Sequence, residues 1–332
     1  MFDLPFIWAA LIAFAVLAYV IFDGFDLGIG ILFPFLDDDA DRDQAMNSVA
    51  PVWDGNETWL ILGGGGLMAA FPVAFAVVMP ALYAPITIML LGLVFRGVAF
   101  EFRWRTQHKY LWDWSFTAGS LAAALAQGVA LGALVQGIPV TGRAYGGGWW
   151  DWLTWFSLLT GAALVVGYAL LGATWLIMKT SGELQARARH LAWIAAFATL
   201  ALIGVVSLIT PFLDPVFMQR WFAWPAVIYT APVPIFVALA AFALFRGLAN
   251  ERDATPFVSA IALFVLSYIG LGISFYPYIV PPSLTIWDAA SPDSSLKFLL
   301  VGAAVLVPII LAYTAWAYWV FRGKVDPEAS YH

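Results

Sequence analysis

Long apolar stretches separated by short polar segments dominate the chain. A helix needs about 20 mostly apolar residues to cross roughly 30 Å of hydrocarbon. Stretches free of Asp, Glu, Lys and Arg cover residues 4–22, 60–95, 114–142, 152–178, 191–213, 221–245, 254–287 and 298–321. This pattern predicts an all-α membrane protein.

Two of these stretches do not match one helix each. Residues 60–95 are too long for one span and too short for two, so we predict two helices with a turn near Pro72–Pro80, the first extending back to Trp53. Residues 254–287 predict one helix followed by a Pro-rich outer loop. The result is a single integral membrane domain, residues 1–332, with about nine spanning helices.

Lysine and arginine divide unequally between the two sets of loops. One set contains Arg143, Arg220 and Lys297, and the other contains Arg42, Arg96, Arg103, Arg105, Lys109, Lys179, Arg187, Arg189, Arg246, Arg252, Arg322 and Lys324. Because cytoplasmic loops are enriched in these residues, we assign the second set to the cytoplasm. An odd number of spans then places the N-terminus in the periplasm and the C-terminus in the cytoplasm.

A short sequence recurs and indicates an internal repeat. Residues 95–101, FRGVAFE, resemble residues 245–251, FRGLANE, at the ends of the third and seventh predicted helices. One interpretation is a parallel repeat of two four-helix bundles, about 4–142 and about 152–280, with an extra peripheral helix at about 298–321. The other is that Phe-Arg is a common anchor at the inner face, since Phe321-Arg322 has it too.

Composition supports a membrane location and excludes several classes of site. Hydrophobic residues make up 63% of the chain and charged residues 11%, against roughly a quarter charged in soluble domains. The net charge of −6 gives no case for a nucleic-acid partner, and the absence of cysteine excludes thiolate chemistry. The first residues lack a basic segment, so we expect the first apolar run to remain as a span rather than a cleaved signal.

The chain offers few ligands for a redox centre inside the membrane. Heme in membrane proteins is commonly held by histidine, and His108, His190 and His332 all lie outside the predicted spans. The methionines within spans, Met68, Met79 and Met89, are typical of packing. We therefore predict that this chain ligates no heme and no other metal.

Ionisable residues do enter apolar surroundings at the cytoplasmic ends of the first three predicted helices. Asp23 and Asp26 follow the first span, Asp54 and Glu57 begin the second, and Arg96 and Glu101 end the third. Each carboxylate pair is spaced by three residues, which places both members on one helix face.

Two interpretations of these residues remain open. They are either interfacial charges, favoured in part by the helix dipole, or a hydrated inlet that conducts protons from the cytoplasm.

The same segments resemble subunit II of the cytochrome bd-type quinol oxidases. The resemblance rests on DGFDLG at residues 23–28, WDGN at 53–56, Phe95-Arg96, Gly182-Glu183-Leu184, SLTIWDA at 283–289 and VPIILAYTAW at 307–316, in the order expected along nearly the whole chain.

The resemblance implies a non-heme subunit of a respiratory complex that oxidises quinol and reduces dioxygen to water. Hemes b and d, and the quinol site, are then expected on subunit I, with a bound quinone and a small accessory subunit as further components. Asp54 matches the family's proton-path aspartate, and Asp23, Asp26 and Arg96 match polar residues near it. Trp53 is a candidate quinone or lipid contact. Some members carry an amide where this chain has Glu57.

Two other function classes fit parts of the pattern. An ion-coupled secondary transporter would suit the helix count, although transporters usually place polar groups near the bilayer midplane. A purely structural membrane scaffold would suit the interfacial interpretation of the acids.

Overall fold

The computed structural model describes residues 3–326, which form helices joined by short turns. The first seven helices are α1 (Leu4–Leu32), α2 (Asp39–Asn47), α3 (Trp53–Ala70), α4 (Pro72–Ala81), α5 (Tyr83–Phe102), α6 (Lys109–Gln136) and α7 (Trp155–Lys179). The others are α8 (Gly182–Ile209), α9 (Pro215–Phe222), α10 (Ala226–Thr230), α11 (Pro232–Ala249), α12 (Thr255–Phe275), α13 (Ile286–Ala289) and α14 (Asp293–Val320). Two antiparallel hairpins pair β1 (Val140–Thr141) with β2 (Ala144–Tyr145) and β3 (Tyr278–Val280) with β4 (Leu284–Thr285).

The all-α membrane architecture is confirmed. Across the described residues, 8 helical segments are long and apolar enough to cross a membrane. The ninth predicted span corresponds to α3, which has 18 residues but carries Asp54, Asn56 and Glu57 in its first two turns. These polar residues lower its mean hydropathy, which accounts for the difference between about nine predicted spans and the 8 found.

Several helix boundaries differ from the prediction. α1 continues through both aspartates to Leu32, well beyond the predicted end at residue 22. The turn predicted near Pro72–Pro80 is itself helix α4. The span predicted from Trp221 begins at Ala226, because a proline at 225 provides no backbone N–H to continue the preceding helix.

Helix α1 lies at the centre of the packing, in contact with α3, α6 and α7. Glycine allows the closest of these approaches: a Cβ built on Gly28 would lie 1.9 Å from the Tyr168 carbonyl oxygen of α7, and one on Gly172 would lie 2.5 Å from the Gly28 carbonyl carbon. This approach brings the polar side chains of α1 close to those of its neighbours.

The remaining packing joins α5 to α6, α6 to α7, α7 to α8 and α11 to α12. Helix α14 lies at the periphery, and no residue in its most apolar stretch is buried within the chain. The grouping into two repeated bundles stays a prediction.

The loops assigned to the cytoplasm are joined to one another at a single end of the bundle. Arg187 pairs with Asp37, Lys324 lies 2.9 Å from Asp253, and the Val325 amide donates to the Lys179 carbonyl over 2.8 Å. We call this end, formed by the C-termini of α1, α5, α7, α11 and α14 and the N-termini of α3, α6, α8 and α12, the polar end. Which compartment it faces stays a prediction.

Candidate functional site

Two aspartates of α1 are completely buried near the polar end. Asp23 and Asp26 both have 0% relative exposure, although each carries a carboxyl group within an otherwise apolar helix. The helix persists here because its other faces pack well: Phe25 stacks on Trp175 of α7 with ring centroids 4.2 Å apart. Burial of a carboxyl group costs free energy unless partners compensate for lost water, so the contacts of these two residues define the site.

Arg96 of α5 is the buried cation of the site. Its Nη2 lies 2.6 Å from Asp23 Oδ1 and also donates to the Glu57 carboxylate of α3. The guanidinium has no exposed surface, whereas the Glu57 side chain is 30% exposed. One arginine thus joins three helices through two carboxylates.

Asp26 has a different set of partners. The Asn56 amide Nδ2 donates to Asp26 Oδ2 over 2.8 Å and to the Phe22 carbonyl over 3.3 Å. The Asn56 Oδ1 in turn accepts a 2.8 Å hydrogen bond from the hydroxyl of Tyr318 on α14. Asp26 is therefore connected through an amide to the peripheral helix.

Asp54 and Glu101 form the exposed part of the same group. Both side chains are exposed, on α3 and at the end of α5 respectively. Asp54 lies close enough to Glu101 and to Glu57 for the carboxylates to repel one another. The acidic residues predicted from sequence are thus brought together, and their burial increases from Glu101 and Asp54 through Glu57 to the two aspartates of α1.

Several buried polar atoms of this group make no hydrogen bond within residues 3–326. They are Asp23 Oδ2, Asp26 Oδ1, Arg96 Nε and Arg96 Nη1. Buried polar groups in folded proteins are nearly always hydrogen-bonded, to water where no protein group is available. The site therefore has the chemistry of a hydrated cluster.

Trp53 packs inside the site rather than outside it. Its indole is 8% exposed, stacks on Phe100 at 5.1 Å, and lies 5.4 Å from the Arg96 guanidinium carbon. The indole therefore covers part of the arginine guanidinium. Its contact with quinone or lipid stays a prediction.

The sequence reasoning missed a second chain of polar groups. Tyr168 of α7 donates to Gln127 Oε1 over 2.7 Å, and Gln127 Nε2 donates to the Tyr19 hydroxyl over 2.9 Å. Tyr19 precedes Asp23 by four residues and shares its helix face. The four-residue spacing of Tyr19 and Asp23 could have indicated that Tyr19 belongs to the site. No such spacing indicates Tyr318, because it is 262 residues from its partner Asn56.

A separate ion cluster fixes the loop between α1 and α3. Arg103, with no exposed surface, pairs with Asp43 of α2 and with Asp113 of α6 at 2.5 Å. Lys109 lies 2.9 Å from the same Asp43. These ion pairs join α2 and α6 to the turn that follows α5, and Arg103 Nη2 is left without a hydrogen-bond partner among the described residues.

The described histidines do not fit an axial heme ligand inside the membrane. His108 and His190 are exposed at the polar end, and His332 lies outside the described residues. Among the residues described, no group of three or more His, Cys, Asp or Glu could hold a metal ion.

Comparison with known proteins places this geometry in a family. The model of the family described as cytochrome bd terminal oxidase subunit II matches residues 4–321. Cytochrome bd-I ubiquinol oxidase subunit 2 from Escherichia coli is 33% identical, covering 98% of this chain and 96% of that protein. Cytochrome bd ubiquinol oxidase subunit 2 from Bacillus subtilis is 29% identical, covering 96% of each.

A solved structure shares the fold. A chain of the bd oxidase from Geobacillus thermodenitrificans superposes with a TM-score of 0.74 at 17% identity, covering 96% of this chain and 99% of that one. The matched segment spans nearly the whole chain. It includes every residue of the cluster formed by Asp23, Asp26, Asp54, Glu57, Arg96 and Glu101, which we call the polar site. The chain belongs to the cytochrome bd terminal oxidase subunit II family.

Proposed function

We propose that this chain is the non-heme subunit of a respiratory quinol:oxygen oxidoreductase of the cytochrome bd type, which reduces dioxygen to water. Family membership and the names of the relatives support this assignment. The chain is a multi-pass protein of the bacterial cell membrane. In the complex it stabilises subunit I, on which we place hemes b and d and the quinol site.

In this proposal the polar site admits protons from the cytoplasm. Forming water from dioxygen consumes protons, and carboxyl groups spaced along a hydrated route can pass them. The observation that carries the proposal is the ordered burial of the acids, from exposed Asp54 and Glu101 through 30% exposed Glu57 to fully buried Asp23 and Asp26. Interfacial charges alone would not need carboxylates without exposed surface.

Further components of the complex belong to the same proposal. Trp53 is the candidate contact for a quinone or lipid, and a small accessory subunit is expected to attach to the complex. The transporter alternative has no support: the ionisable residues discussed above lie at the polar end rather than midway along the spans.

The first test replaces the exposed aspartate of the site. We expect Asp54→Asn to leave assembly and the visible heme spectrum of the purified complex unchanged, because the side chain is exposed and the amide has the same shape. Oxygen consumption with a quinol donor should fall about tenfold or more, since positioned proton transfer contributes at least that factor.

The matched control is Asp293→Asn. Asp293 is an exposed carboxylate in the first turn of α14, at the end of that helix away from Tyr318, and its replacement should leave oxygen consumption unchanged. Wild-type turnover in Asp54→Asn would return the acids to the role of interfacial charges.

A further inference from the structure

The charges buried at the polar site do not balance. Arg96 supplies one positive charge, while Asp23, Asp26 and Glu57 can supply three negative charges. Taking uncompensated charge out of water is costly, and interacting acids in such a site share protons instead of all ionising. At least one of the three carboxyl groups therefore holds a proton at rest.

The contacts distinguish the three acids. Asp23 and Glu57 both accept hydrogen bonds from Arg96, so their ionised forms are stabilised by the cation. Asp26 makes no hydrogen bond or ion pair with Arg96 and interacts with this cation only at longer range; its other neighbours within the site are Asp23, Glu57 and the neutral groups Asn56 and Tyr318. Asp26 is thus the acid with the least compensation for a negative charge.

The orientation of Asn56 fixes where that proton lies. The Phe22 carbonyl can only accept a hydrogen bond, and it lies 3.3 Å from Asn56 Nδ2, so the NH2 group must face α1. The same NH2 group donates to Asp26 Oδ2. The other oxygen, Asp26 Oδ1, accepts no hydrogen bond from the described chain, so it is the oxygen free to carry the hydrogen and to donate it to a water molecule of the hydrated cluster.

We propose that Asp26 is the proton-carrying carboxyl group of the site, whereas Asp23 is a positioning residue that stays ionised and holds Arg96. This inference rests on the proposed function and assigns separate roles to the two buried aspartates. In turnover, the neutral Asp26 carboxyl becomes a carboxylate as it releases its proton toward the site of dioxygen reduction on subunit I, where that proton ends in the water formed. A proton arriving from the Glu57 side restores the neutral carboxyl, while the Asn56 amide donates to Oδ2 in both states.

Replacing each of these aspartates by asparagine is then expected to impair a different property: turnover for Asp26, and assembly for Asp23. Asp26→Asn replaces a neutral acid by a neutral amide of the same shape, so the complex should assemble with full heme content and lose oxygen consumption by about tenfold or more. Asp23→Asn removes a charge partner from a buried arginine, so this variant should show a lower heme yield and a lower apparent Tm.

Infrared spectroscopy detects the proton without depending on turnover. The difference spectrum of wild type minus Asp26→Asn should contain the carbonyl stretch of a protonated carboxylic acid. The same spectrum for the exposed control Asp293→Asn should lack it.

Three results would overturn the assignment. They are a persistent protonated-acid band in Asp26→Asn, wild-type oxygen consumption in that variant, and failure of Asp26→Asn to assemble, because a neutral isostere must be tolerated if the resting acid is neutral. If Asp54→Asn consumes oxygen slowly and the protonated-acid band persists in Asp26→Asn, the assignment of the proton to Asp26 fails while the proposed proton inlet stands. If Asp54→Asn consumes oxygen at the wild-type rate and the band is lost in Asp26→Asn, the proton inlet is excluded while the protonation of Asp26 is established.

Discussion

At the scale of single residues, the site depends on one arginine that has no access to water. Arg96 donates to acids from two helices and is covered by the Trp53 ring. A buried ion pair adds little net stability, but removal of one partner leaves the others as uncompensated buried charge. The arginine is therefore expected to matter for assembly as much as for proton transfer.

We expect Arg96→Gln to destabilise the complex by about 3–5 kcal/mol, the usual consequence of breaking a buried ion pair. The apparent Tm of the purified complex, followed by loss of the heme spectrum, measures this effect. The matched control is Arg322→Gln, because Arg322 is exposed and stacks on Trp319 at 4.6 Å. A surface change of that kind alters stability by about 0.5 kcal/mol or less. Equal Tm values for the two variants would contradict the role given to Arg96.

Part of this site could be predicted from sequence because its acids follow helical spacing. Asp23 with Asp26, and Asp54 with Glu57, were placed on shared faces by their separation of three residues alone. Asn56 and Tyr318 could not be assigned, since their hydrogen bond depends on how α14 packs against α3. The difference between the two buried aspartates also needed the structure, because it depends on which one reaches Arg96.

At the scale of elements, α14 is held near both ends. Near its N-terminus Leu296 is buried, and its carbonyl accepts a 3.0 Å hydrogen bond from the Trp8 indole. Lys179, at the end of α7, donates to the carbonyls of Phe321 and Gly323, the latter over 2.6 Å. The Val325 amide donates back to the Lys179 carbonyl. This second attachment lies next to Tyr318, whose ring also packs on Phe22 and Trp175, so it helps to hold Tyr318 against Asn56.

We expect Lys179→Met to release the segment after α14. Trypsin should then cleave faster after Arg322 and Lys324 in the detergent-purified complex, because loss of the Lys179 hydrogen bonds exposes that backbone. Lys297→Met is the control, since Lys297 is exposed near the other end of α14. Equal cleavage rates in wild type and Lys179→Met would show that other contacts hold the segment.

The helices themselves were predicted with uneven success. Apolar length was sufficient to place α6, α7 and α12. It failed at α1, where hydrophobicity ends before the helix does: backbone hydrogen bonds and packing on α7 carry the helix past two acids to Leu32. It also failed near Trp221, where prolines divide an apolar run into separate helices.

At the scale of the whole molecule, the proposal requires the polar end to face the cytoplasm. The chain contains no cysteine, so single cysteines report on orientation without background from this subunit. Ala144 in the hairpin between α6 and α7 and Gly323 after α14 are both exposed.

In intact cells, a membrane-impermeant maleimide should label Ala144→Cys and not Gly323→Cys, because the two positions lie on opposite sides of the membrane in the predicted topology. Breaking the cells should make Gly323→Cys reactive. Labelling of Gly323→Cys in intact cells would place the acids on the outer side and exclude proton entry from the cytoplasm.

The polar start of α3 has a consequence for biosynthesis. A helix beginning with Asp54, Asn56 and Glu57 partitions poorly into lipid as it leaves the translocon, since each ionised side chain at membrane depth adds to the insertion free energy. Its counter-charge, Arg96, is translated some 40 residues later, on α5 (about three seconds at typical elongation rates). During that interval α3 has only α1 to shelter its acids, so stable insertion of the second span has to wait for the third.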